Sequence, residues 1–383
     1  MNERTRVGVF APFYPPAFRG GGPVRSISAL VQAAPATFTP LVVTGDRDLG
    51  ETEPLPVPAN EWISHADADV YYASLSSPAA YTRALFALRR RRPGLLHLNS
   101  FMNPRLSIVP VLLWRLGFWG RARLLVSPRG EFGDGALSRR TGKKQAYMRL
   151  FRLLGLHRRV VWHSTAPHET ADIRRAWGEP VTVVERENDT LLALAATEPS
   201  PLDGPLRAVF LGRIVEHKGL HIALSALQAV AAPVRLDVYG SREDAAYVRR
   251  CEALVRDLPP HISVTFHGPV APEEVVSVLA QHELLLMPTA GENFGHVIAE
   301  ALSASCAVAV TPLTPWTEVL SEAGGLVLDR AVEPWSRGIE ERASSSREER
   351  LAARRHAGQT YERWRARPRA PHVWETASAV RGR

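Results

Sequence analysis

Ala196-Thr-Glu-Pro-Ser-Pro-Leu-Asp-Gly-Pro205 divides the chain into two similar halves. Its prolines and glycine suit neither a helix interior nor a central strand, so the stretch reads as a linker. Before it, short apolar runs fall at Val7–Phe10, Leu41–Thr44, Val70–Ala73, Leu95–Leu98, Leu124–Ser127, Val160–His163 and Val181–Val184. Helical patterns separate them, near 24–34, 78–91, 105–117, 140–154 and 166–177. After the linker the same rhythm restarts. Strands are expected at Ala208–Leu211, Arg235–Tyr239, Ser263–Phe266, Leu284–Met287, Ala307–Val310 and Gly325–Leu328. Helices are expected near 217–230, 242–257, 272–280, 296–304, 315–322 and 346–365. Buried strands alternating with helices imply parallel sheets. Two such series predict an α/β protein of two Rossmann-like, doubly wound domains with a cleft between them. The expected boundaries are 1–195, a linker at 196–206, 207–365, and a tail at 366–383 that either packs back on the first domain or frays.

The length of 383 residues accommodates two domains. Apolar residues at 45% and charged residues at 22% argue against disorder, collagen-like repeats or a disulfide scaffold. Cys251 and Cys306 are the only cysteines, which fits a reducing compartment. No apolar run approaches the roughly 18 residues of a membrane span, and Met1–Arg6 is polar with no signal-peptide core. A cytoplasmic protein is the expectation.

Three clusters sit where strands of such sheets end, which is where their ligands bind. The first is Phe18-Arg19-Gly20-Gly21-Gly22-Pro23. Its glycines permit close backbone approach, and the helix that follows offers free N–H groups to an anion. It is neither a dinucleotide fingerprint nor a P-loop; a flexible surface loop is the alternative. The second is Phe210-Leu-Gly212-Arg213-Ile-Val-Glu-His-Lys218-Gly-Leu. Two cations near a helix start oppose its dipole, so an anionic ligand such as a diphosphate explains them better than stability does. The third is Pro288-Thr-Ala-Gly-Glu292-Asn293-Phe294-Gly295-His-Val-Ile-Ala-Glu300. Backbone amides at Asn293, Phe294 and Gly295 suit phosphate, while Glu292 and Glu300 can accept hydrogen bonds from the diols of a sugar or ribose. No Cys/His cluster with metal-ligand spacing accompanies them, and no metal or other cofactor is expected.

Taken together, these clusters resemble glycosyltransferase family 4, retaining enzymes of GT-B fold that use nucleotide-sugar donors. Glu292 and Glu300 form the family's E-x7-E signature. Gly212 to Gly219 resembles its G-R-x-x-x-x-K-G segment, and Gly20–Gly22 its glycine loop. The resemblance implies an acceptor domain over 1–195 and a donor domain over 207–365. It implies that Arg213 and Lys218 hold the donor diphosphate and that Glu292 meets the donor sugar. Gly21, Gly22, Gly212, Asn293, Phe294 and Gly295 would complete the donor site. Glu300 would bond the ribose, and Val270 would lie beside the base. Ser127-Pro-Arg129-Gly130, Trp162-His163-Ser-Thr165 and Thr314-Pro-Trp316 look like a bacterial branch that builds surface polysaccharides or secondary-metabolite glycosides. On the acceptor side the implied residues are His97, Arg129 and His163, with Asn99 where many members carry a catalytic-site His. A second departure is Glu187-Asn188-Asp189 in place of Pro-Asn-Gly.

The implied donor is a UDP-sugar, with GDP-mannose next. The implied acceptor is a saccharide, a lipid-linked saccharide or a small aglycone. The rivals are an epimerase or phosphorylase of the same fold and a non-catalytic sugar-nucleotide-binding protein.

The net charge of +8 is unevenly spread. Between Arg83 and Arg159 stand 18 basic and two acidic residues, a net +16, so the rest of the chain carries −8. Within that segment Ile108–Trp119 is apolar and aromatic. Basic residues beside Trp and Leu are the composition of a surface that contacts anionic membrane. The alternative is an ordinary core helix with a solvated arginine face. Nucleic acid is not expected, because no recognition motif accompanies the charge.

Overall fold

The computed structural model describes residues 4–133, 142–322 and 325–380. Arg139 and Arg140 of the basic segment, and the start of the helical pattern at 140–154, therefore lie outside the described residues. The chain forms two compact units. One comprises the residues up to Thr190 with those from Arg369 onward, and the other Leu191–Pro368. The stretch read as a linker, 196–206, belongs to the second unit, where Ser305 Oγ donates to the Thr197 carbonyl and Arg354 to that of Ser200.

The first unit is built on an eight-stranded sheet. Its strands are β1 (Thr5–Phe10), β2 (Phe38–Gly45), β3 (Trp62–Ser64), β4 (Asp69–Ala73), β5 (Leu95–Leu98), β6 (Arg123–Val126), β7 (Val161–Ser164) and β8 (Thr182–Glu185). They lie in the order β3-β4-β2-β1-β5-β6-β7-β8. Every pairing is parallel except β3 with β4. β5 is Leu-Leu-His-Leu, buried on both faces, as a strand covered by helices on either side must be. The order reverses at β1, so the β1–β5 boundary is the switch point.

The second unit carries six parallel strands: β9 (Leu206–Leu211), β10 (Val234–Tyr239), β11 (Ile262–Gly268), β12 (Leu284–Met287), β13 (Ala307–Val310) and β14 (Leu326–Val327). Their order is β11-β10-β9-β12-β13-β14, with the switch point between β9 and β12. β12 is Leu-Leu-Leu-Met and fully buried. Leu284 and Leu286 face one core with Phe210 and Leu236, while Leu285 and Met287 face the other with Ile298 and Trp316. One strand thus feeds two cores through the two-residue alternation of its side chains.

Candidate donor and acceptor residues

β9 and β12 are neighbours, so the loops leaving their carboxyl ends meet although about 70 residues separate them in sequence. The loop after β9 runs through Gly212 and Arg213 into a single 3-10 turn, Glu216–Lys218. The loop after β12 runs from Pro288 to Gly295. Gly219 joins the two closely. It has φ 77°, and a Cβ there would lie 2.0 Å from the Pro288 carbonyl oxygen. Only glycine fits. The loops are then cross-linked: the Ala290 amide donates to the His217 carbonyl at 2.8 Å, and His217 Nε2 donates to the Gly291 carbonyl at 2.8 Å.

This frame brings Lys218 and Glu292 together. Lys218 Nζ donates to Glu292 Oε1 at 2.5 Å, and both side chains are largely buried. Thr289 Oγ1 donates to the same oxygen at 2.9 Å. A largely buried ion pair fixed from both sides is a preorganised group of donors and acceptors. Arg213 is more open and is steadied by Glu243 Oε2 at 3.2 Å. Thr289 and Glu243 do not stand out in the sequence. Thr289 lies within the third cluster but has no role assigned there, and Glu243 is one acid among many.

Gly295, with φ 76°, caps the helix His296–Ser303, so Asn293 to Gly295 lead directly into a helix N-terminus. Phe294 is buried, and its carbonyl accepts from Trp316 Nε1 at 2.6 Å. Its ring packs against the contacting pair Trp316 and Trp364 at 5.9 and 6.1 Å. The aromatic side chain therefore anchors the amides of the turn. Glu300 lies five residues into the same helix and is buried. Val270 packs partly buried against the core that holds Phe294, two residues beyond the end of β11. The structure thus brings Gly212, Arg213, Lys218, Glu292, Asn293, Phe294, Gly295 and Glu300 to neighbouring strand and helix ends of one unit.

In the first unit the loop after β1 carries Gly21, which caps the helix beginning at Gly22. The loop is not loose: the buried Asp48 carboxylate accepts from the Phe18 amide at 2.9 Å and the Arg19 amide at 3.1 Å. Asn99 follows β5. Its Nδ2 donates to the Phe10 carbonyl at 3.3 Å, and its Oδ1 accepts from Arg129 Nη2 at 2.8 Å. Arg129 Nη1 donates to Asn188 Oδ1 at 2.7 Å. Arg129 has φ 53°, and burial lowers its guanidinium to about 10, so it stays charged at neutral pH. Glu169 positions the same turn, accepting from the Gly130 amide at 2.7 Å and the Thr165 amide at 2.8 Å. Asn188, the central residue of the segment Glu187-Asn188-Asp189 that departs from the family's Pro-Asn-Gly, is a partner that holds Arg129.

His97 and His163 require a correction. The resemblance put them on the acceptor side, but both are buried and both nitrogens of each ring are engaged. Trp374 Nε1 donates to His97 Nδ1 at 3.1 Å. His97 Nε2 then donates to Ser127 Oγ at 2.7 Å, which donates to His163 Nδ1 at 2.8 Å. His163 Nε2 ends the series on the Arg186 carbonyl at 3.0 Å. An indole can only donate and a carbonyl only accept, so both ends impose the same direction and both rings are neutral. Burial is the main cause holding His97 well below its ordinary value and His163 at about 3, with Arg129 nearby adding to it. The pair ties β5, β6 and β7 to the C-terminal tail.

Residues 205–343 match the sequence profile of a family described as Glycosyl transferases group 1. Two curated relatives are D-inositol 3-phosphate glycosyltransferases. That of Corynebacterium urealyticum is 28% identical over 164 residues, covering 40% of this chain and 38% of the relative. That of Xylanimonas cellulosilytica is 30% identical over 131 residues, covering 34% and 31%. The chain thus aligns with less than two fifths of the length of the curated relatives it matches. Solved structures resemble it along nearly its whole length. A sucrose-phosphate synthase from Thermosynechococcus elongatus has a TM-score of 0.71 at 17% identity, covering 98% of this chain and 96% of that one. Anabaena HepE, in complex with UDP and glucose, gives 0.69 at 14%, covering 98% and 100%. WaaG, a glycosyltransferase involved in lipopolysaccharide biosynthesis, gives 0.67 at 16%, covering 98% and 100%. These likenesses show the fold: two Rossmann-like units of GT-B type.

Proposed function

We propose that the protein is a retaining glycosyltransferase that moves a sugar from a nucleotide diphosphate sugar to a hydroxyl of its acceptor. The observation that carries this reading is the Lys218–Glu292 pair at the β9–β12 switch point, beside Arg213 and a helix N-terminus. As the anomeric C–O bond breaks, negative charge builds on the departing diphosphate. Lys218, Arg213 and the amides after Phe294 would stabilise that charge; removing one such donor costs about 3 kcal/mol in other enzymes. Glu292 would accept from the sugar hydroxyls and Glu300 from the ribose. Asn99 and Arg129, at the carboxyl ends of β5 and β6, are the proposed acceptor-side groups. A UDP-sugar is the favoured donor, in keeping with the HepE complex, and GDP-mannose is next. Among saccharides, lipid-linked saccharides and small aglycones, the lipid-linked class accords best with the basic first half of the chain.

The test is nucleotide release by the purified protein across UDP-, GDP-, ADP- and dTDP-sugars, with Glu292→Gln as control. Slow release from one donor, abolished in the variant, is expected. No release, together with no thermal stabilisation by any of the nucleotides, overturns the donor site.

A further inference from the structure

We propose that one face of the first unit, formed by the helices Pro78–Arg90, Val109–Arg115 and Gly142–Leu153, docks on the surface of an anionic lipid bilayer. The inference does not depend on the donor site. These helices connect β4 to β5, β5 to β6 and β6 to β7. The strands advance across the sheet in one direction, so right-handed crossovers place all three helices on the same side of it. Their inner residues confirm this by sharing one core: Leu85 and Leu88, Val111, Tyr147 and Phe151.

The outer residues of that layer are not those of a solvated face. Leu116 is 80% exposed and Leu153 is 83% exposed. Leu153 points away from the buried Tyr147 and Phe151, while Leu150, and Leu154 just past the helix end, are exposed along the edge of that buried stripe. Leu112 lies one turn before Leu116, and Phe86 is exposed on the first helix. Each helix therefore turns apolar side chains both inward and outward, where a water-facing helix turns them only inward. The charge between these apolar groups has one sign. None of the three helices contains Asp or Glu, whereas Arg83, Arg90, Arg115, Arg149 and Arg152 are exposed on or between the leucines. Arg89 lies over the Phe118 ring at 4.5 Å, and Phe86 packs against that ring at 5.3 Å, so cation and apolar surface are contiguous. Leucines at the acyl boundary with arginines at the phosphates are the arrangement of an interfacial surface. A second copy of this chain would bring like charges together, and a nucleic acid would leave the leucines unexplained.

The apolar run at 108–119, read from the sequence as the interfacial element, is mostly inward: Pro110, Val111 and Trp119 are buried, and Leu112 and Leu116 supply its outward face. The helix Gly142–Leu153 contributes as much. No helix among the described residues is long and apolar enough to cross a membrane, so contact is confined to the surface.

The experiment is sedimentation of the full chain with vesicles of phosphatidylcholine containing phosphatidylglycerol, against phosphatidylcholine alone. Pelleting is expected only with the anionic vesicles, and its loss at about 1 M salt, where charges are screened within a few ångströms. A Leu116→Ser, Leu153→Ser variant should bind at least about tenfold more weakly while keeping its melting temperature and its nucleotide release. Wild-type protein left in the supernatant at low salt overturns the proposal. So does serine-insensitive pelleting, which would reduce it to bulk attraction. A leucine-dependent dimer in gel filtration with no vesicle binding also overturns it and assigns the face to a second copy.

Discussion

Lys218 is one of three lysines among 47 basic residues, and it is the one whose ammonium is held against a carboxylate at the β9–β12 switch point. A compact ammonium can keep one hydrogen on Glu292 and turn the others to a ligand, which a planar guanidinium in that space could not do equally. Lys218→Ala should cut turnover at least about tenfold, or ~1.4 kcal/mol in the barrier. Arg213→Ala should do likewise, although Arg213 is exposed and its tie to Glu243 is worth little to folding. Steady-state kinetics decide: near-unchanged turnover in both variants removes the proposed chemistry. These residues stand out in the sequence because cations at a helix start and an acid in a glycine loop have poor structural reasons to be there. Their supports do not. Asp48 and Glu169 act through backbone amides, Asn188 through one partner far away in sequence, and Thr289 through a hydroxyl contact with Glu292, and nothing in local composition marks such contacts.

At the scale of elements, the buried strands were readable because continuous Leu/Val runs have few other uses, whereas β3 is three half-exposed residues and carries no such signal. The helix Val332–Ser344 was also missed, since Pro334 and Gly338 lower its local helical signal and only packing of Trp335 and Ile339 into the core defines it. His97 on β5 and His163 on β7 show the opposite limit. A histidine at a strand end looks reactive in sequence, and only the tertiary fold reveals Ser127 between the two rings. Their neutrality has a pH consequence. Both folded values lie below the ordinary 6.5, so the unfolded chain binds more protons and stability is lost as pH falls below about 6.5. For His163, folded at about 3, the loss reaches about 2 kcal/mol at pH 5. Urea unfolding of the first unit, followed at pH 7.5 and pH 5, should show at least that difference, and His163→Gln should flatten it. Equal unfolding free energies at the two pH values would mean that the rings are protonated in the fold.

At the scale of the whole molecule, the first unit is not finished until the chain returns to it. The tail left undecided between packing and fraying forms the helix Val373–Ala379. Trp374 is fully buried there with Ile27 and Leu30 of the helix after β1, and its ring meets Phe38 edge-on at 5.8 Å. Arg123 closes the end of this helix on the carbonyls of Ala377, Ser378 and Val380. Composition could not reveal this, because the segment is short and rich in Pro and Arg. The contact is also non-local, joining residues more than 300 positions apart. Synthesis order therefore matters to the first unit: its sheet cannot be sealed while the second unit is still being made. Deleting a buried tryptophan costs about 3–5 kcal/mol, and Trp374→Ala additionally leaves His97 Nδ1 buried without its donor. Calorimetry of Trp374→Ala should show the transition of the first unit shifted down by many degrees. Limited proteolysis should cut within residues up to Thr190 before it cuts Leu191–Pro368. Phe294→Ala provides the complementary case, since Phe294 anchors the turn in the second unit and should expose Leu191–Pro368 first. The two variants together test whether each unit draws its stability from its own core. If Trp374→Ala left both the transition and the cleavage order unchanged, the tail would be an ornament on a unit already complete without it.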